Sequence, residues 1–207
     1  MNVNVYVDGF NLYYRALKNT PHKWLNLAAL AQGLLNPGDT VQLVRLFTAR
    51  VSPRAGDPDA PRRQQIYFDA LQTLPNIVFH YGRFLPKTKR RPLVSNPHKF
   101  VEIHDTEEKG SDVNLAVHLL NDGWRNNYDA ALVLSQDTDL IEPIRMVSKD
   151  LKKTVGLIWL DGGHPNRFMS AAASFTRHAR RSHFSAAQFP NPVIKANGTP
   201  IIKPATW

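Results

Sequence analysis

The feature that most constrains the fold is a regular alternation of short apolar runs and amphipathic segments along the chain. The apolar runs are rich in aliphatic and β-branched residues and cover residues 2–8, 40–51, 76–84, 128–135 and 153–160. This composition favours strands, and runs that are apolar at nearly every position indicate strands buried on both faces. Such strands, separated by helices, predict a three-layer α/β sandwich with a mainly parallel, five-stranded sheet and right-handed crossovers.

Two of the intervening segments carry the 3.6-residue period of an amphipathic helix. In the first segment, one helical face carries Ile66, Tyr67, Ala70, Leu71 and Leu74. In the second segment, one face carries Val113, Ala116, Val117, Leu120 and Trp124. We expect both apolar faces to pack on the sheet, because a helix in such a sandwich buries the stripe that faces the strands.

Two regions depart from this alternation. Residues 85–99 are basic and proline-rich, which is typical of an exposed loop. Asn197-Gly198 lies between two short apolar runs, a pattern that predicts a β-hairpin with a type I′ turn. We therefore expect one domain over residues 1–175 and a basic C-terminal extension over 176–207 that contains a helix and this hairpin. Its edge strand could pair with a second copy of the chain, which would give a homodimer.

The amino-acid composition excludes several classes of protein. No apolar run is long enough to span a bilayer, and the N-terminus lacks the basic and apolar regions of a signal peptide. The chain has no cysteine, which excludes disulfide scaffolds and thiolate metal sites and fits a cytoplasmic protein. The formal net charge of +9 favours a polyanionic partner, chiefly nucleic acid.

Acidic residues stand at the ends of several predicted elements. Asp8 ends the first strand, and Asn11 follows it after a glycine that permits a sharp turn. Asp112 lies in the first turn of the second amphipathic helix, next to a candidate N-cap, Ser111. Each acid alone is compatible with ordinary helix capping. Ligands of parallel α/β sheets, however, bind at the carboxyl ends of the strands, where these acids would converge.

A pair of aspartates, Asp137 and Asp139, follows the buried run 128–135. One aspartate is enough for capping, and two like charges at the end of a buried strand repel each other. A divalent cation would relieve this repulsion, because Mg²⁺ prefers oxygen ligands and uses a few carboxylates together with substrate phosphates. The pattern therefore indicates a metal site formed by Asp8, Asp112 and Asp137, with Asp139 bound directly or through water.

The stretches "VDGFNLYY", "EEKGSDVNLAVHLL" and "DAALVLSQDTDLIEPI" resemble, in order and spacing, the three motifs of the NYN domain family, a branch of the PIN-like nucleases. The resemblance covers residues 2 to about 175. It implies a Rossmann-like sheet and an Mg²⁺- or Mn²⁺-dependent hydrolase that acts on RNA. It also implies that Asp8, Asp112 and Asp137 are metal carboxylates, Asp139 a further acidic ligand and Asn11 a supporting polar group. Gln136 departs from the motif, where glycine is more usual.

Basic residues could line the path of an RNA strand towards these acids. The candidates are Lys87, Lys89, Arg90, Arg91, Lys109, Arg177, Arg180 and Arg181. For each of them alone, a solvated loop or helix face is an equally good interpretation.

Other functions remain open at this stage. The first alternative is a non-catalytic RNA-binding or regulatory module on the same fold. A second is a phosphatase with an aspartyl nucleophile, because "DTDL" resembles a DxD motif, although that motif should follow the first strand. The eight histidines show no zinc-binding pattern, and no glycine-rich nucleotide-binding motif is present.

Overall fold

The computed structural model describes the whole chain, residues 1–207. The strands are β1 (Asn2–Asp8), β2 (Thr40–Thr48), β3 (Ile77–Tyr81), β4 (Arg83–Leu93), β5 (Asn96–Lys109), β6 (Ala130–Leu134), β7 (Thr154–Trp159), β8 (Phe175–His178), β9 (Val193–Ile194) and β10 (Pro200–Ile201). The helices are α1 (Gly9–Leu12), α2 (Leu27–Gly33), α3 (Ala60–Leu71), α4 (Ser111–Trp124), α5 (Ile141–Arg145), α6 (Arg167–Ala172) and α7 (Arg181–Ala186). None of these helices combines the length and the apolar character needed to cross a membrane.

Six strands form one parallel sheet in the order β3-β2-β1-β6-β7-β8. The predicted parallel α/β architecture is confirmed, with six strands in place of five. The additional strand, β8, begins at Phe175 and spans the predicted junction between domain and extension. Its four residues are too few to show a clear period in the sequence, and they form a strand because β7 offers a free edge beside them.

The sheet is covered on both faces, which makes the sandwich three-layered as predicted. On one face Val3, Val5 and Val7 of β1 pack in a core with α2, α3 and α7. On the other face Tyr6 packs in a second core with α4, α5 and α6. Successive residues of β1 thus point into opposite cores, because side chains alternate between the two faces of a strand. The near-continuous apolar runs are the consequence of this double burial.

The buried face of α4 differs from the predicted one. Leu115 and Leu119 are fully buried, whereas Val113, Val117 and Trp124 are 66, 54 and 79% exposed. The apolar period predicted the wrong buried stripe, because the stripe that is buried also carries a carboxylate, Asp122, which is 1% exposed. A charged residue lowers the apparent hydrophobicity of a stripe even when tertiary contacts neutralise the charge.

Residues 85–99 do not form the predicted loop. They belong to a two-stranded antiparallel ribbon, β4–β5, in which Arg83 pairs with Lys109 at the base and Arg91 with Val101 near the tip. Basic side chains of β4 face acidic side chains of β5: Lys87 forms an ion pair with Glu107, and Lys89 with Asp105. The acidic partners of these lysines lie about twenty residues further along the chain, so residues 85–99 alone do not reveal the strand pairing. At the base of the ribbon, Phe84 contacts Phe10 edge to face.

The C-terminal hairpin is present as β9–β10, which pair antiparallel. Its turn is not type I′, because Gly198 has a positive φ of 84° and Asn197 does not. The Gly198 N–H instead donates to the Lys195 carbonyl at 2.9 Å, and the Lys195 N–H donates to the Thr199 carbonyl at 2.9 Å. This arrangement matches the longer hairpin loop that closes with a glycine bulge. The homodimer through this edge stays a prediction.

A buried ion pair joins the sheet to α4. Asp122 accepts from Arg45 Nε at 2.7 Å and from Arg45 Nη2 at 3.0 Å, and Tyr6 donates its hydroxyl to Asp122 Oδ2 at 2.7 Å. The three residues come from α4, β2 and β1. Together with the apolar contacts, this pair sets how α4 lies across the sheet.

Removal of the Asp122 carboxylate should destabilise the fold. In Asp122→Ala the Arg45 guanidinium, 15% exposed, loses its anion and the Tyr6 hydroxyl loses its acceptor. We expect the free energy of unfolding, measured by urea denaturation, to fall by about 3 kcal/mol. The control is Arg45→Met/Asp122→Leu, which removes both charges and should lose less. An equal or larger loss in this double variant would contradict the role of the unpaired charge.

Candidate functional site

The predicted acids lie at the point where the strand order reverses. All six strands are parallel. The strands β2 and β3 are added outwards on one side of β1, and β6, β7 and β8 are added outwards on its other side. The loops after β1 and β6 therefore diverge and leave a crevice between two adjacent strand ends, which is the usual ligand position in open parallel sheets. Asp8 is the last residue of β1, and Asp137 follows β6 after two residues.

Asp8 is buried and held by two hydrogen bonds. It is 4% exposed. Its Oδ1 accepts from the Asn11 backbone N–H at 2.9 Å, and its Oδ2 accepts from Ser135 Oγ at 2.9 Å. Burial raises the pKa of the Asp8 carboxyl, as does the nearby charge of Asp137, whereas both hydrogen bonds lower it. The effect of burial on the pKa is larger than that of the hydrogen bonds, so the fold holds the Asp8 carboxylate at a position where its charge is unfavourable.

Asn11 and Ser135 connect the two strand ends. The Asn11 Oδ1 accepts from the Gln136 N–H at 3.1 Å, so the side chain points from α1 to the loop after β6. Ser135, fully buried, donates to Asp8 and accepts from the Asp137 N–H at 3.1 Å. These contacts fix the distance between the loops that carry Asp8 and Asp137. The Asn11 side chain, predicted to be a supporting polar group, therefore makes a structural hydrogen bond within the site.

Asp137 begins a short 3₁₀ turn, Thr138–Leu140. Its Oδ1 accepts from the Asp139 N–H at 2.9 Å. One carboxylate oxygen is thus used as a cap, as the capping interpretation requires. Asp139 itself is exposed at the mouth of the crevice. The two acids differ in environment: the Asp137 carboxylate is bonded to the backbone, and Asp139 is exposed to solvent.

Asp112 approaches the crevice from the N-terminus of α4. The helix begins after Gly110, whose φ is 105°, and Ser111 is its first residue and not the predicted N-cap. The Ser111 hydroxyl donates to the carboxylate of Glu108, which also accepts from the Ser111 N–H at 3.3 Å. The N-cap residue Gly110 has no side chain to cap α4, and the Glu108 carboxylate instead accepts from a backbone N–H of the first turn.

The acids form one electrostatically coupled cluster. The pKa of Asp112 is raised to about 6, chiefly by burial and then by the charges of Asp8, Asp137, Glu108 and Asp139. Repulsion of this kind falls off with distance, so each of these acids lies near enough to Asp112 to affect its ionisation. The structure thus places the other three predicted aspartates and Glu108 within electrostatic reach of Asp112, but it does not gather them into a preformed set of metal ligands.

The chemistry of the donors fits a hard divalent cation. All candidate ligands are carboxylate or amide oxygens, which Mg²⁺ and Mn²⁺ accept. No three acidic or histidine side chains are gathered closely enough to hold an ion by themselves. The three-carboxylate metal site that the sequence predicts is therefore not preformed, and an ion bound here would need water or substrate phosphate to complete its shell, as Mg²⁺ sites usually do. A cation would also relieve the repulsion that raises the pKa of Asp112.

Sequence reasoning missed a second group of residues beside the site. Gln136 is 5% exposed, and its Nε2 donates to Asp161 Oδ2 at 3.1 Å while its Oε1 accepts from the Leu160 N–H at 3.1 Å. Asp161 also pairs with Arg15 at 3.3 Å. The glutamine that departs from the family motif therefore ties the loop after β6 to the loop after β7. Asp161 follows a buried strand, the same signal that identified Asp8.

The predicted basic residues divide into three groups. Several are engaged within the chain: Lys87, Lys89 and Lys109 pair with acids of β5, Arg90 lies over the ring of Phe100, and Arg177 donates to the Leu34 carbonyl and to Asn36 Oδ1. Arg91 lies exposed on β4. Arg180 and Arg181, by contrast, line a cleft of about 690 Å³ together with Arg15 and Asp161. This cleft adjoins the carboxylates through the bond between Gln136 and Asp161.

A cavity lies on the other side of the loop that follows β1. It has a volume of about 270 Å³, and Gly9 and Phe10, the two residues after Asp8, form part of its wall. An added Cβ at Gly9 would stand 3.0 Å from the Phe47 carbonyl oxygen, so only glycine allows α1 to approach β2 so closely here. No motif in the sequence indicated this cavity, because its lining comes from five separate parts of the chain.

Comparison with known proteins gives a family match over most of the chain. The model of the NYN domain matches residues 2–179. The 6-hydroxy-3-succinoylpyridine 3-monooxygenase HspA of Pseudomonas putida (strain DSM 28022 / S16) is 26% identical over 238 aligned positions, which cover all of this chain and 75% of that protein. A protein of unknown function from Vibrio parahaemolyticus RIMD 2210633 superposes with a TM-score of 0.54 and 12% identity, over 87% of this chain and 93% of that one. The structural likeness supports the fold alone.

The raised pKa of Asp112 predicts a pH dependence of stability. A carboxyl with a folded pKa near 6 and an unfolded value near 3.8 binds protons more tightly in the native state, so stability falls as pH rises through that window. Asp112→Asn removes the charge. In EDTA at neutral pH we expect it to be about 1 kcal/mol more stable than wild type, a value reduced for solvent screening because Asp112 is only half-buried.

Urea denaturation at a series of pH values tests this expectation. The difference between Asp112→Asn and wild type should shrink as the pH falls from about 6 to 3.8 and vanish below that window, where Asp112 is protonated in both states. Asp59→Asn, which changes an exposed acid outside the cluster, is the matched control and should follow wild type. A pH-independent difference for Asp112→Asn would show that repulsion among the acids is not its cause.

Proposed function

The chain belongs to the NYN domain family, within the PIN-like nuclease superfamily, and from this membership we propose that it is a metal-dependent ribonuclease that hydrolyses phosphodiester bonds at its aspartate cluster. The observation that supports the proposal is that Asp8 and Asp137 follow adjacent strands at the switch point of the sheet, with Asp112 near enough for their charges to affect its ionisation. Clustered carboxylates of this kind destabilise a fold unless a ligand compensates them.

One or two of Asp8, Asp112 and Asp137 would bind a Mg²⁺ or Mn²⁺ ion directly, and the others, with Asp139, would bind it directly or through water. A bound divalent ion supplies an acidified water molecule and positive charge opposite the scissile phosphate. Ser135 and the Asn11 N–H hold both oxygens of Asp8 in place, so this carboxylate does not need to reorganise when substrate arrives. Asp139, which is exposed close to Asp137, would accept a hydrogen bond from water at the reacting phosphate.

The basic cleft offers a path for the RNA backbone. Arg180 and Arg181 line it with no carboxylate paired to either, whereas Arg15 is partly neutralised by Asp161. Phosphate groups held there would lead the strand towards the loop that carries Gln136 and Asp137. A negative cluster repels RNA by itself, so the cationic surface and a bound cation are both needed for the strand to approach.

A non-catalytic RNA-binding module is the alternative within the same family. The observation that favours it is the absence of a preformed three-ligand metal site. The two functions differ in one measurable property, since a module would bind RNA without cleaving it in Mg²⁺ or Mn²⁺.

The name of the Pseudomonas putida relative suggests a further candidate, oxygen transfer to a substituted pyridine. The full coverage of this chain by that alignment and the apolar cavity beside Asp8 favour it. Incubation of the protein with 6-hydroxy-3-succinoylpyridine, oxygen and an electron donor tests it directly. Consumption of the pyridine by wild type, unchanged in Asp137→Asn, would support this candidate over the nuclease.

Asp137→Asn should abolish metal-stimulated RNA cleavage. The substitution removes a ligand charge but little volume, and we expect cleavage of a fluorescent RNA in Mg²⁺ or Mn²⁺ to fall by about a hundredfold or more.

The melting temperature of wild type should rise on addition of millimolar Mg²⁺ at constant ionic strength, because a ligand of the native state stabilises it.

The matched control for cleavage and melting is Asp59→Asn, which removes an exposed acid outside the site and should keep both responses. Cleavage at the wild-type rate by Asp137→Asn would overturn the assignment. An equal rise in melting temperature in wild type and Asp137→Asn would show a nonspecific salt effect.

Arg180→Gln/Arg181→Gln should weaken RNA binding and reduce its salt dependence. Each lost phosphate contact on a single strand lowers the slope of log affinity against log salt by about 0.7. Lys87→Gln/Lys89→Gln is the comparison with equal charge loss, and it should change the slope less because both lysines are paired with acids. The measurement is fluorescence anisotropy in EDTA at several salt concentrations. A larger effect of the lysine pair would place the RNA on the ribbon and not in the cleft.

A further inference from the structure

We propose that the cavity beside Asp8 is a binding site for a flat aromatic ring that carries an anionic group. The cavity lies between α1, the start of α3 and the end of β2, and its volume is about 270 Å³. A cavity of about 150 Å³ already admits benzene, so this one holds a single or fused ring with a small substituent. It is too small for a folded peptide segment.

Half of the 12 apolar residues that line the cavity are aromatic. The rings that line it belong to Phe10, Tyr13, Tyr14, Tyr67, Phe68 and Trp207. Tyr67 and Trp207 lie edge to face at 5.6 Å between ring centroids, and the Tyr67 hydroxyl is already bonded to the Leu25 carbonyl at 2.7 Å. The tyrosine therefore offers its ring rather than its hydroxyl to the cavity. Aromatic faces arranged in this way bind flat rings by stacking and edge contacts.

The rim of the cavity is cationic. Lys18, Lys23, Arg54 and Arg63 contribute four positive charges, and Asp57 contributes one negative charge. Asp57 pairs with Arg63, which leaves Arg54 and the two lysines uncompensated. Thr48, 5% exposed, adds a hydroxyl to the lining. An apolar interior with a surplus of positive charge at its mouth selects a ring with a carboxylate or phosphate substituent.

Two sources supply this chemistry: a nucleotide and a free aromatic acid. The probes are therefore AMP and UMP for the first source and nicotinate and benzoate for the second. Adenosine and nicotinamide are the uncharged counterparts. The inference does not depend on the proposed ribonuclease activity, because its readout is binding in EDTA, and Asp137→Asn should bind the probes as wild type does.

Two variants test the two halves of the site. Ala60→Phe adds a ring to a residue that lines the cavity at the first position of α3 and should abolish binding of every probe. Arg54→Gln/Arg63→Gln should weaken the anionic probes about tenfold and leave the uncharged ones unchanged. Arg125→Gln/Lys149→Gln removes the same charge at exposed positions outside the cavity and is the matched control.

Calorimetric titration measures affinity and stoichiometry, and thermal denaturation confirms that each variant folds. Saturable binding at one site per chain, lost in Ala60→Phe and reduced in the arginine pair, is the expected result. Tighter binding of nucleotides than of aromatic acids would identify the ring as a nucleobase, and the reverse would identify a small-molecule ligand. No saturable binding of any probe at millimolar concentration, or equal binding by folded Ala60→Phe, would overturn the proposal.

Discussion

The repulsion among carboxylates at the switch point of the sheet is the constraint on which the candidate site depends. Asp8 is buried at the end of β1, and its charge is retained there by hydrogen bonds that only partly offset the cost of burial. Burial, and then the charges of the neighbouring acids, raise the pKa of Asp112 to about 6. A bound cation would stabilise such an arrangement, which is what the proposed metal-dependent ribonuclease requires.

The polar contacts around the acids explain how the repulsion is tolerated. Ser135 bridges Asp8 and the backbone of Asp137, and Asn11 reaches across to the N–H of Gln136. Gln136 in turn joins the loop after β7 through Asp161. Each bond links loops from adjacent strands, so the geometry of the site follows from the order of the strands. The buried pair of Arg45 and Asp122 acts similarly on α4, which carries Asp112 into the crevice.

The positive charge of the chain is distributed unequally, and this distribution gives the surface its functional organisation. On the ribbon, lysines of β4 face acids of β5, so a segment that is basic in sequence is largely neutralised in space. In the cleft at the ends of β7 and β8, and at the rim of the aromatic cavity, arginines remain without carboxylate partners. Net charge thus indicates the class of partner, whereas ion pairing decides where on the surface that partner can bind.

The sequence by itself determined the parallel α/β architecture, the strand ends that carry Asp8 and Asp137, and the family, because buried strands and clustered acids leave local patterns. Only the tertiary structure decided which stripe of α4 is buried, since Asp122 is neutralised by Arg45 from a distant strand. The same holds for the ribbon, whose ion pairs join residues about twenty positions apart, and for Ser135 as the bridge between acids. Local periodicity reports the average environment of a segment; long-range pairing of charges and hydrogen bonds depends on where the chain places distant residues.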